Sequence, residues 1–551
     1  QAAAPTVAHD APGDLRAPAA AASSSVFSRC VHNSRSDSNF VNRNSFFQHV
    51  RIWSVNVRKL LRRKAELEAR LRNADVHVLL LQETWLSESV EEVSLDNYVL
   101  VSRMDRLLGP KRGYGGVAIY VRLDVSSIVA LEQSDSAERS WALLHTNIGS
   151  FLVGNWYRPP DDDGSSMQNL GSELERLRED CVGVILIGDV NIHHRRWLRH
   201  SSQGNTPLGE RLWSICRENS LKQVVTKPTR GDNLLDLVLT DVSALLKVQV
   251  LPELSDHRIV SIDLEVVVAR SQAYSREVWD FKRAQWDSLR SALTAADWHS
   301  LLHLHGAKQS PDESVQRFVK FFVQTCESCI PKKQITDAVR DHPWIDDTCM
   351  AAIEAKCLAT GSAELGERER ECNEVLKAAF LNYQTQLRTR ILNLPKSSKE
   401  WWRLNRELLN RRSKHSTIPP LKTTDGKWIL EAERKADLLA NTFQSKSRLP
   451  DPLPDSRPED LVSDAEPAKM SDFLLIRSRW ALKVLKKLTV GKASGPDNLP
   501  IRIFKECAAE LAPAIAILVR FLLCHRLWPS QWRMHRIPPL YKKGAVSAAT
   551  N

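Results

Sequence analysis

The residues that could carry chemistry in this chain are acids, amides and a histidine at the ends of strand-like apolar runs. They are Asn56, Glu83, Asp189, Asn191, Asp236, Asp256 and His257. Side chains at strand ends can project into a cleft at a sheet edge, where several carboxylates repel one another unless a cation neutralises them. Hard oxygen ligands of this kind suit Mg²⁺, which typically keeps several waters and bridges to substrate phosphate. The sequence therefore predicts a magnesium site that acts on a phosphate ester.

The residue types match what phosphodiester hydrolysis requires. The reaction needs an oriented water, neutralisation of phosphate charge and help for the leaving oxygen. A histidine paired with a carboxylate has a fixed tautomer and a more basic ring. Each motif alone favours a plainer interpretation, because Gly188–Asn191 is typical of a turn and Asp256–His257 of a capping pair. The order of the motifs along the chain is what favours an active site.

Strand-like runs lead up to these residues, and helical patterns lie between some of the runs. The runs cover residues 52–55, 76–81, 117–121, 141–146, 151–156, 182–187, 235–239 and 259–267. Several are apolar on both faces, as the strands of a buried sheet are. The helical patterns cover residues 60–71, 167–179 and 208–219. Mixed helices and strands over this length predict an α/β sandwich.

The composition is that of a globular protein with a polyanionic partner. Hydrophobic residues make up 42% and charged residues 26% of the 551 residues, and 77 Lys and Arg against 66 Asp and Glu leave a net charge of +11. No segment approaches the roughly 20 unbroken apolar residues of a membrane helix. The 10 cysteines are too sparse for a disulfide scaffold and indicate a reducing compartment.

The pattern divides the chain into four segments. Residues 1–48 lack apolar periodicity and are predicted to be disordered, and residues 49–268 carry the sandwich. Residues 269–415 are predicted to form a helical linker, and a further globular pattern covers 416–551.

Two features of the linker leave alternatives open. Basic residues of 388–414 are interleaved with Trp401 and Trp402, which favours nucleic-acid binding and an amphipathic helix with a tryptophan packed inward about equally. Cys326 and Cys329 have the spacing of a zinc knuckle. Because no second pair follows at the usual distance, buried helix cysteines are the favoured interpretation.

The motifs together resemble one known superfamily of hydrolases. They are Asn56, Gln82–Trp85, Gly115–Ile119, Trp156–Pro160, Gly188–Asn191, Leu235–Leu237 and Ser255–His257. Their order and type resemble the endonuclease/exonuclease/phosphatase superfamily, and most of all the apurinic-type endonuclease of non-LTR (LINE-type) retrotransposons. The resemblance implies a four-layer α/β sandwich, in which two packed mixed sheets are flanked by helices.

The resemblance also implies which residues bind the metal and the nucleic acid. Glu83 would ligate the ion with Asn56 in its shell, and Asp256 would help to bind it or polarise the site. The implied cofactor is Mg²⁺, with Mn²⁺ as a substitute, and no small-molecule cofactor is implied. Arg158 is expected to contact nucleic acid.

The remaining motif residues receive roles in the reaction from the same resemblance. Asp189 would orient or deprotonate the attacking water, and Asn191 beside it would hold the phosphate. Tyr157 would contact the scissile phosphate. His257, oriented by Asp236, would stabilise the developing charge or take part in proton transfer.

The last segment resembles the opening of a retrotransposon reverse transcriptase, where the fingers begin. The residues that carry this resemblance are Gly491–Asp497, Leu527–Trp532 and Ile537–Gly544, and it implies that Lys492 and Lys542 lie near the template or the incoming nucleotide. A plainer interpretation is a Gly/Pro loop followed by a helix and a strand. The adjacent aspartates of a palm are absent from this stretch, so the segment is expected to be a truncated start without polymerase activity.

The predicted function is a metal-dependent DNA endonuclease whose nick leaves a 3′-hydroxyl for target-primed reverse transcription. The expected partners are target DNA and the element's RNA, with no membrane, and the expected location is nuclear, or cytoplasmic during ribonucleoprotein assembly. Two alternatives stay open: a cellular repair nuclease or phosphatase of the same superfamily, and a catalytically dead nucleic-acid-binding remnant. Arg58 stands where repair-type relatives have an acid, which argues against high abasic-site activity.

Overall fold

The computed structural model describes most of the chain from residue 46 onwards. The described ranges are 46–90, 93–106, 113–201, 204–270, 275–302, 311–336, 344–396, 398–408, 418–448, 476–490, 494–495, 499–524 and 528–550. The segment predicted to be disordered therefore lies almost wholly outside the described residues, as does Lys492.

Strands predominate up to residue 269, and helices predominate after it. The strands are β1 Phe46–Phe47, β2 Val50–Asn56, β3 Val78–Gln82, β4 Tyr98–Met104, β5 Val117–Arg122, β6 Ile128–Gln133, β7 Glu138–Thr146, β8 Gly149–Tyr157, β9 Cys181–Asp189, β10 Lys222–Gln223, β11 Asp236–Thr240, β12 Leu246–Glu253, β13 Arg258–Leu264, β14 Val268–Ala269, β15 Ser275–Trp279, β16 Lys332–Thr336, β17 Leu421–Lys422 and β18 Trp428–Ile429. The helices are α1 Leu60–Asn73, α2 Leu170–Leu177, α3 Pro207–Glu218, α4 Trp286–Ala295, α5 Trp298–Leu302, α6 Pro311–Cys329, α7 Asp347–Leu358, α8 Leu365–Leu392, α9 Lys399–Leu408, α10 Ala432–Ser447, α11 Ser478–Lys487, α12 Ile501–Glu506 and α13 Ala508–Cys524.

Two six-stranded sheets form the first part of the chain. Their strand orders are β10-β11-β9-β8-β7-β6 and β12-β13-β2-β3-β5-β4. Each is mixed, because β8 pairs with β9 and β2 with β3 in parallel, whereas the other neighbours are antiparallel. The central strands are buried on both faces, which explains their nearly continuous apolar sequences.

Successive side chains of a central strand point alternately into two apolar cores. On β2, Ile52 joins the core shared with the other sheet, whereas Trp53 and Val55 join a second core with α1. Helices α2 and α3 contribute Leu174 and Leu212 to the larger core. Helices thus flank a pair of mixed sheets, as the sequence predicts.

Helices α4–α6 and α11–α13 share another core. Phe322 of α6 and Leu293 of α4 pack with Ile503 and Leu511 of the last helices, so both sides of the predicted boundary near residue 415 contribute. Within the described ranges, none of the helices combines the length and apolar character needed to cross a membrane.

The structure also differs from the sequence prediction inside the linker. The linker was predicted to lack strands, yet β15 and β16 pair antiparallel there. Their sequences are charged, and the pair is held in part by the ammonium of Lys332, which lies 4.9 Å from the ring centroid of Trp279. Cys326 and Cys329 are buried on α6, in agreement with the favoured interpretation. Trp401 packs against a small apolar cluster, whereas Trp402 is exposed.

Candidate active site

Strand ends of both sheets meet at one place in the sandwich. Asp189 ends β9, and in the register of its sheet it pairs with Tyr157 on one side and Asp236 on the other. Asn56 ends β2 of the second sheet, and its side chain reaches across to Asp189. The predicted convergence of polar residues at the strand ends is therefore present.

Asn56 lies between two carboxylates. Its amide nitrogen donates to Oε1 of Glu83 at 2.8 Å and to Oδ2 of Asp189 at 2.8 Å. The two amide hydrogens are thus both used. The amide oxygen accepts from the backbone N–H of Arg58 at 3.1 Å, which fixes which way the amide points. A neutral group therefore holds two acids in one site.

His257 lies on the other side of Asp189. Its Nδ1 is 2.8 Å from Oδ2 of Asp236, and its Nε2 is 3.7 Å from Oδ2 of Asp189. All three side chains are at most 2% exposed. The hydroxyl of Ser255 donates to the carbonyl oxygen of Asn56 and accepts from the backbone N–H of His257 at 3.1 Å. The predicted orientation of His257 by Asp236 is consistent with this geometry.

The surroundings raise the pKa values of both Asp189 and His257. Burial raises the pKa of Asp189 to about 7, although the positive charge of His257 opposes the shift. Burial by itself would lower the pKa of His257, but the charges of Asp236 and Asp189 raise it to about 9. At neutral pH the imidazole is therefore protonated beside a carboxylate that can take up a proton.

Glu83 is the more open member of the site, whereas Tyr157 beside it is buried. Glu83 is half-buried, and its Oε2 accepts from Nε1 of Trp85 at 3.1 Å. Burial and the charge of Glu83 raise the pKa of Tyr157, so its hydroxyl stays protonated and can donate a hydrogen bond. Glu83 adopts a positive φ of 48°, a conformation that a non-glycine residue keeps only when its surroundings enforce it.

The turn after β9 is held by a buried arginine. A Cβ on Gly188 would lie 1.7 Å from the carbonyl oxygen of Trp156, so only glycine fits there. The guanidinium of Arg158 donates to the carbonyl oxygen of Asn191 at 3.0 Å and to Asp162 at 2.9 Å. The Asn191 amide donates back to the carbonyl oxygen of Arg158 at 2.9 Å.

This placement corrects the expectation for Arg158. The side chain is 1% exposed, so it supports the turn from inside the protein and does not face nucleic acid. Lys542 is exposed in a segment without regular structure, and its predicted contact with nucleic acid stays a prediction. Lys492 lies outside the described residues.

The donor set of the site fits a divalent cation. Asp189, Asp236 and His257 present ligand atoms within 4.8 Å of one another. Nδ1 of His257 is already bonded to Asp236, so the oxygens are the better ligands. Oδ1 of Asp189 and Oδ1 of Asp236 are buried without a hydrogen-bond partner in the described structure. Orphaned carboxylate oxygens beside the half-buried Glu83 suit a hard cation.

Asp256 is held by two arginines that the sequence did not single out as its partners. Its Oδ2 lies 3.2 Å from the guanidinium of Arg58 and 2.7 Å from that of Arg230. Burial opposes ionisation of Asp256, but the charges of His257, Arg230 and Arg58 outweigh it and lower the pKa. Both arginines are about half exposed, and they place positive charge at the rim of the site.

Arg106 is a further residue without a sequence signal. Its guanidinium lies 5.6 Å from the ring centroid of Tyr157 and forms an ion pair with Glu138. It stands in a loop, where no apolar period or motif marks it. Only the fold brings it beside the tyrosine.

Part of the chain is similar to a known protein family. Residues 52–257 match the model of the Endonuclease/Exonuclease/phosphatase family. No curated protein matches the chain. Residues 52–257 thus form a domain similar to that family of hydrolases.

Solved structures of low sequence identity are also similar. The endonuclease domain of TRAS1, a telomere-specific non-LTR retrotransposon, is 19% identical, with a TM-score of 0.30. The match covers 39% of this chain and 98% of that chain. The AP endonuclease LMAP from Leishmania major is 15% identical, with a TM-score of 0.33, 40% of this chain covered and 88% of that chain. The catalytic domain of Xenopus laevis APE2 is 17% identical, with a TM-score of 0.32, 40% of this chain covered and 94% of that chain.

The electrostatics of the site give a direct prediction. In metal-free protein, Asp236→Asn should lower the pKa of His257 from about 9, because the carboxylate that stabilises the imidazolium is lost while an acceptor for Nδ1 remains. NMR titration of the histidine ring carbons, assigned with a His257→Ala variant, measures the shift. Asp287→Asn, which changes a fully exposed side chain of α4, is the control and should leave the titration unchanged. An unshifted His257 in Asp236→Asn would contradict this assignment.

Proposed function

We propose that the two-sheet domain is a metal-dependent DNA endonuclease that hydrolyses a phosphodiester bond and leaves a 3′-hydroxyl. One observation carries the proposal. Glu83, Asn56, Asp189, His257 and Asp236 form an unbroken row with successive contacts of 2.8, 2.8, 3.7 and 2.8 Å. The row combines a metal-binding carboxylate, a proton acceptor and a fixed cation, which are the groups that this reaction requires.

The proposed metal is Mg²⁺, for which Mn²⁺ can substitute. Glu83 would hold it with Asn56 alongside, and Asp256 stays a candidate ligand whose Oδ1 is buried without a partner in the described structure. When bound, such an ion supplies positive charge that neutralises the scissile phosphate. The acids of the site would then repel one another less.

Residues of the protein would activate the water and stabilise the developing charge. Asp189, with its raised pKa, takes the proton of the attacking water, and the imidazolium of His257 faces the negative charge that develops on the phosphate oxygens. Asp236 keeps the imidazole ring in position. On release from Glu83, the Tyr157 hydroxyl would donate to a phosphate oxygen, and the second amide hydrogen of Asn191 would donate to another.

Nucleic acid is the proposed substrate because of the charges around the site. The guanidiniums of Arg58 and Arg230 stand half exposed beside Asp256, where they can contact flanking phosphates of a polyanion. The net charge of +11 on the whole chain suits the same partner.

The proposed biological setting is target-primed reverse transcription by a non-LTR retrotransposon. The nick would supply the primer, target DNA and the element's RNA would be the partners, and the nucleus would be the site of action. The order of the endonuclease-like motifs and the fingers-like segment along the sequence supports this setting. These 551 residues are not expected to polymerise nucleotides, because no adjacent aspartates of a palm follow the fingers-like segment among them.

The first experiment tests the activity itself. The full chain should nick supercoiled plasmid in the presence of Mg²⁺ and stop when EDTA is added. Agarose electrophoresis separates nicked from supercoiled DNA and gives the rate. Equal nicking in EDTA, or none with Mg²⁺ or Mn²⁺ in a folded sample, would contradict the proposal.

The second experiment tests the division of roles. Asp189→Ala and His257→Ala should each lower turnover by about 10²–10³, because both groups act in the transition state. DNA affinity, measured by fluorescence anisotropy in Ca²⁺, should change little, and Asp189→Ala should bind slightly tighter because a repulsion is removed. Asp287→Ala, the exposed control, should keep wild-type turnover. Near-native turnover in folded His257→Ala would refute its role.

A further inference from the structure

The segment that carries His257 is held from behind by two cations. We call residues 252–257 the catalytic turn. Arg70 donates to the carbonyl oxygens of its first two residues at 3.1 and 2.7 Å, and Nζ of Lys356 donates to that of Leu254 at 3.0 Å. Three consecutive carbonyl groups are thus fixed immediately before the Ser255–His257 motif.

Both cations also converge on one buried acid. Oε1 of Glu66 lies 2.6 Å from the guanidinium of Arg70, and Oε2 lies 2.8 Å from the ammonium of Lys356. The side chains of Glu66 and Lys356 are 3% and 1% exposed. Glu66 therefore links the two cations, and its removal would leave both of them as buried charges without their acid.

Lys356 comes from the region predicted as a linker. It stands on α7, and α7 and α8 pack their apolar residues Ile353 and Cys372 against Ala69 of α1. An ion pair between Arg63 and Glu369 crosses the same interface. The helices after the nuclease-like domain therefore contribute a side chain that reaches the catalytic turn.

The catalytic turn transmits its position to the site through short bonds. The N–H of Leu254, the residue whose carbonyl Lys356 holds, donates to the carbonyl oxygen of His257 at 3.1 Å. Ser255, next along the chain, bonds both Asn56 and His257. A shift at Leu254 would thus move the imidazole and the amide that separates the two acids.

We propose that Lys356 is a positioning residue for the nuclease and that α7 and α8 belong functionally to the catalytic domain. The expected effect on turnover rests on the function proposed above, whereas the expected effect on the position of the catalytic turn does not. A turn that has lost one of its supports would hold His257 less well against the substrate. A misplacement of this kind lowers turnover without weakening the contacts that bind DNA.

The test compares Lys356→Met with wild type in the full chain. Hydrogen exchange, followed by mass spectrometry, should become faster in peptides that cover residues 252–260. Nicking turnover should fall about 10- to 100-fold, as expected for a displaced catalytic group, with KM for DNA nearly unchanged. Lys356→Arg, which keeps a cation and a donor, should recover protection and turnover.

A matched control separates positioning from simple loosening of the interface. Glu369→Gln removes the Arg63–Glu369 ion pair between these helices and α1 and leaves Lys356 with its partners Glu66 and Leu254. It should leave both exchange at 252–260 and turnover at wild-type values. If Lys356→Met fails to fold, Lys356→Gln replaces it, because this variant also removes the ammonium while it leaves the Glu66–Arg70 ion pair in place.

The outcomes decide the two proposals separately. Unchanged exchange at 252–260 in Lys356→Met, or equal changes in Lys356→Met and Glu369→Gln, would overturn the positioning role. A wild-type chain that shows no nicking would overturn the proposed function, while the exchange comparison would still decide whether Lys356 holds the turn.

Discussion

The site depends on the separation of carboxylates that would otherwise repel one another. Asn56 lies between Glu83 and Asp189, and the imidazole of His257 lies between Asp189 and Asp236. Each acid is therefore next to a donor or a positive charge, although three of these side chains are almost fully buried. This alternation of acids with donors raises the pKa of His257 and leaves carboxylate oxygens available to a cation.

Such a row needs both sheets in a fixed relation, because its members come from strands of each. Gln82 of one sheet donates to Asn155 of the other at 2.7 Å, in a position that is fully buried. A buried polar bond of this kind restricts how the two apolar faces can slide over each other. The catalytic turn is supported in its own way, because Glu66 of α1 forms ion pairs with both Arg70 and Lys356, which hold the turn.

The sequence predicted the inner parts of this arrangement better than the outer parts. Within the two six-stranded sheets it indicated the eight inner strands, and the four that it missed, β4, β6, β10 and β12, are the sheet edges. An edge strand such as Leu246–Glu253 is only partly buried, so its apolar pattern is weak. Motif order indicated the side chains that meet at the strand ends, and their roles in the reaction stay predictions. The burial of Arg158 and the pairing of Lys356 with Glu66, 290 positions apart, depend on tertiary packing that no local pattern encodes.

Cleavage of DNA in water enriched in ¹⁸O tests the proposed chemistry most directly, because hydrolysis at this site requires water to attack phosphorus and O3′ to leave. Mass spectrometry of the nicked strand should find one ¹⁸O in the new 5′-phosphate, and a polymerase should extend the new 3′-end without further treatment. A 3′-phosphate end, or a 5′-phosphate that carries no solvent oxygen, would contradict the proposed hydrolysis.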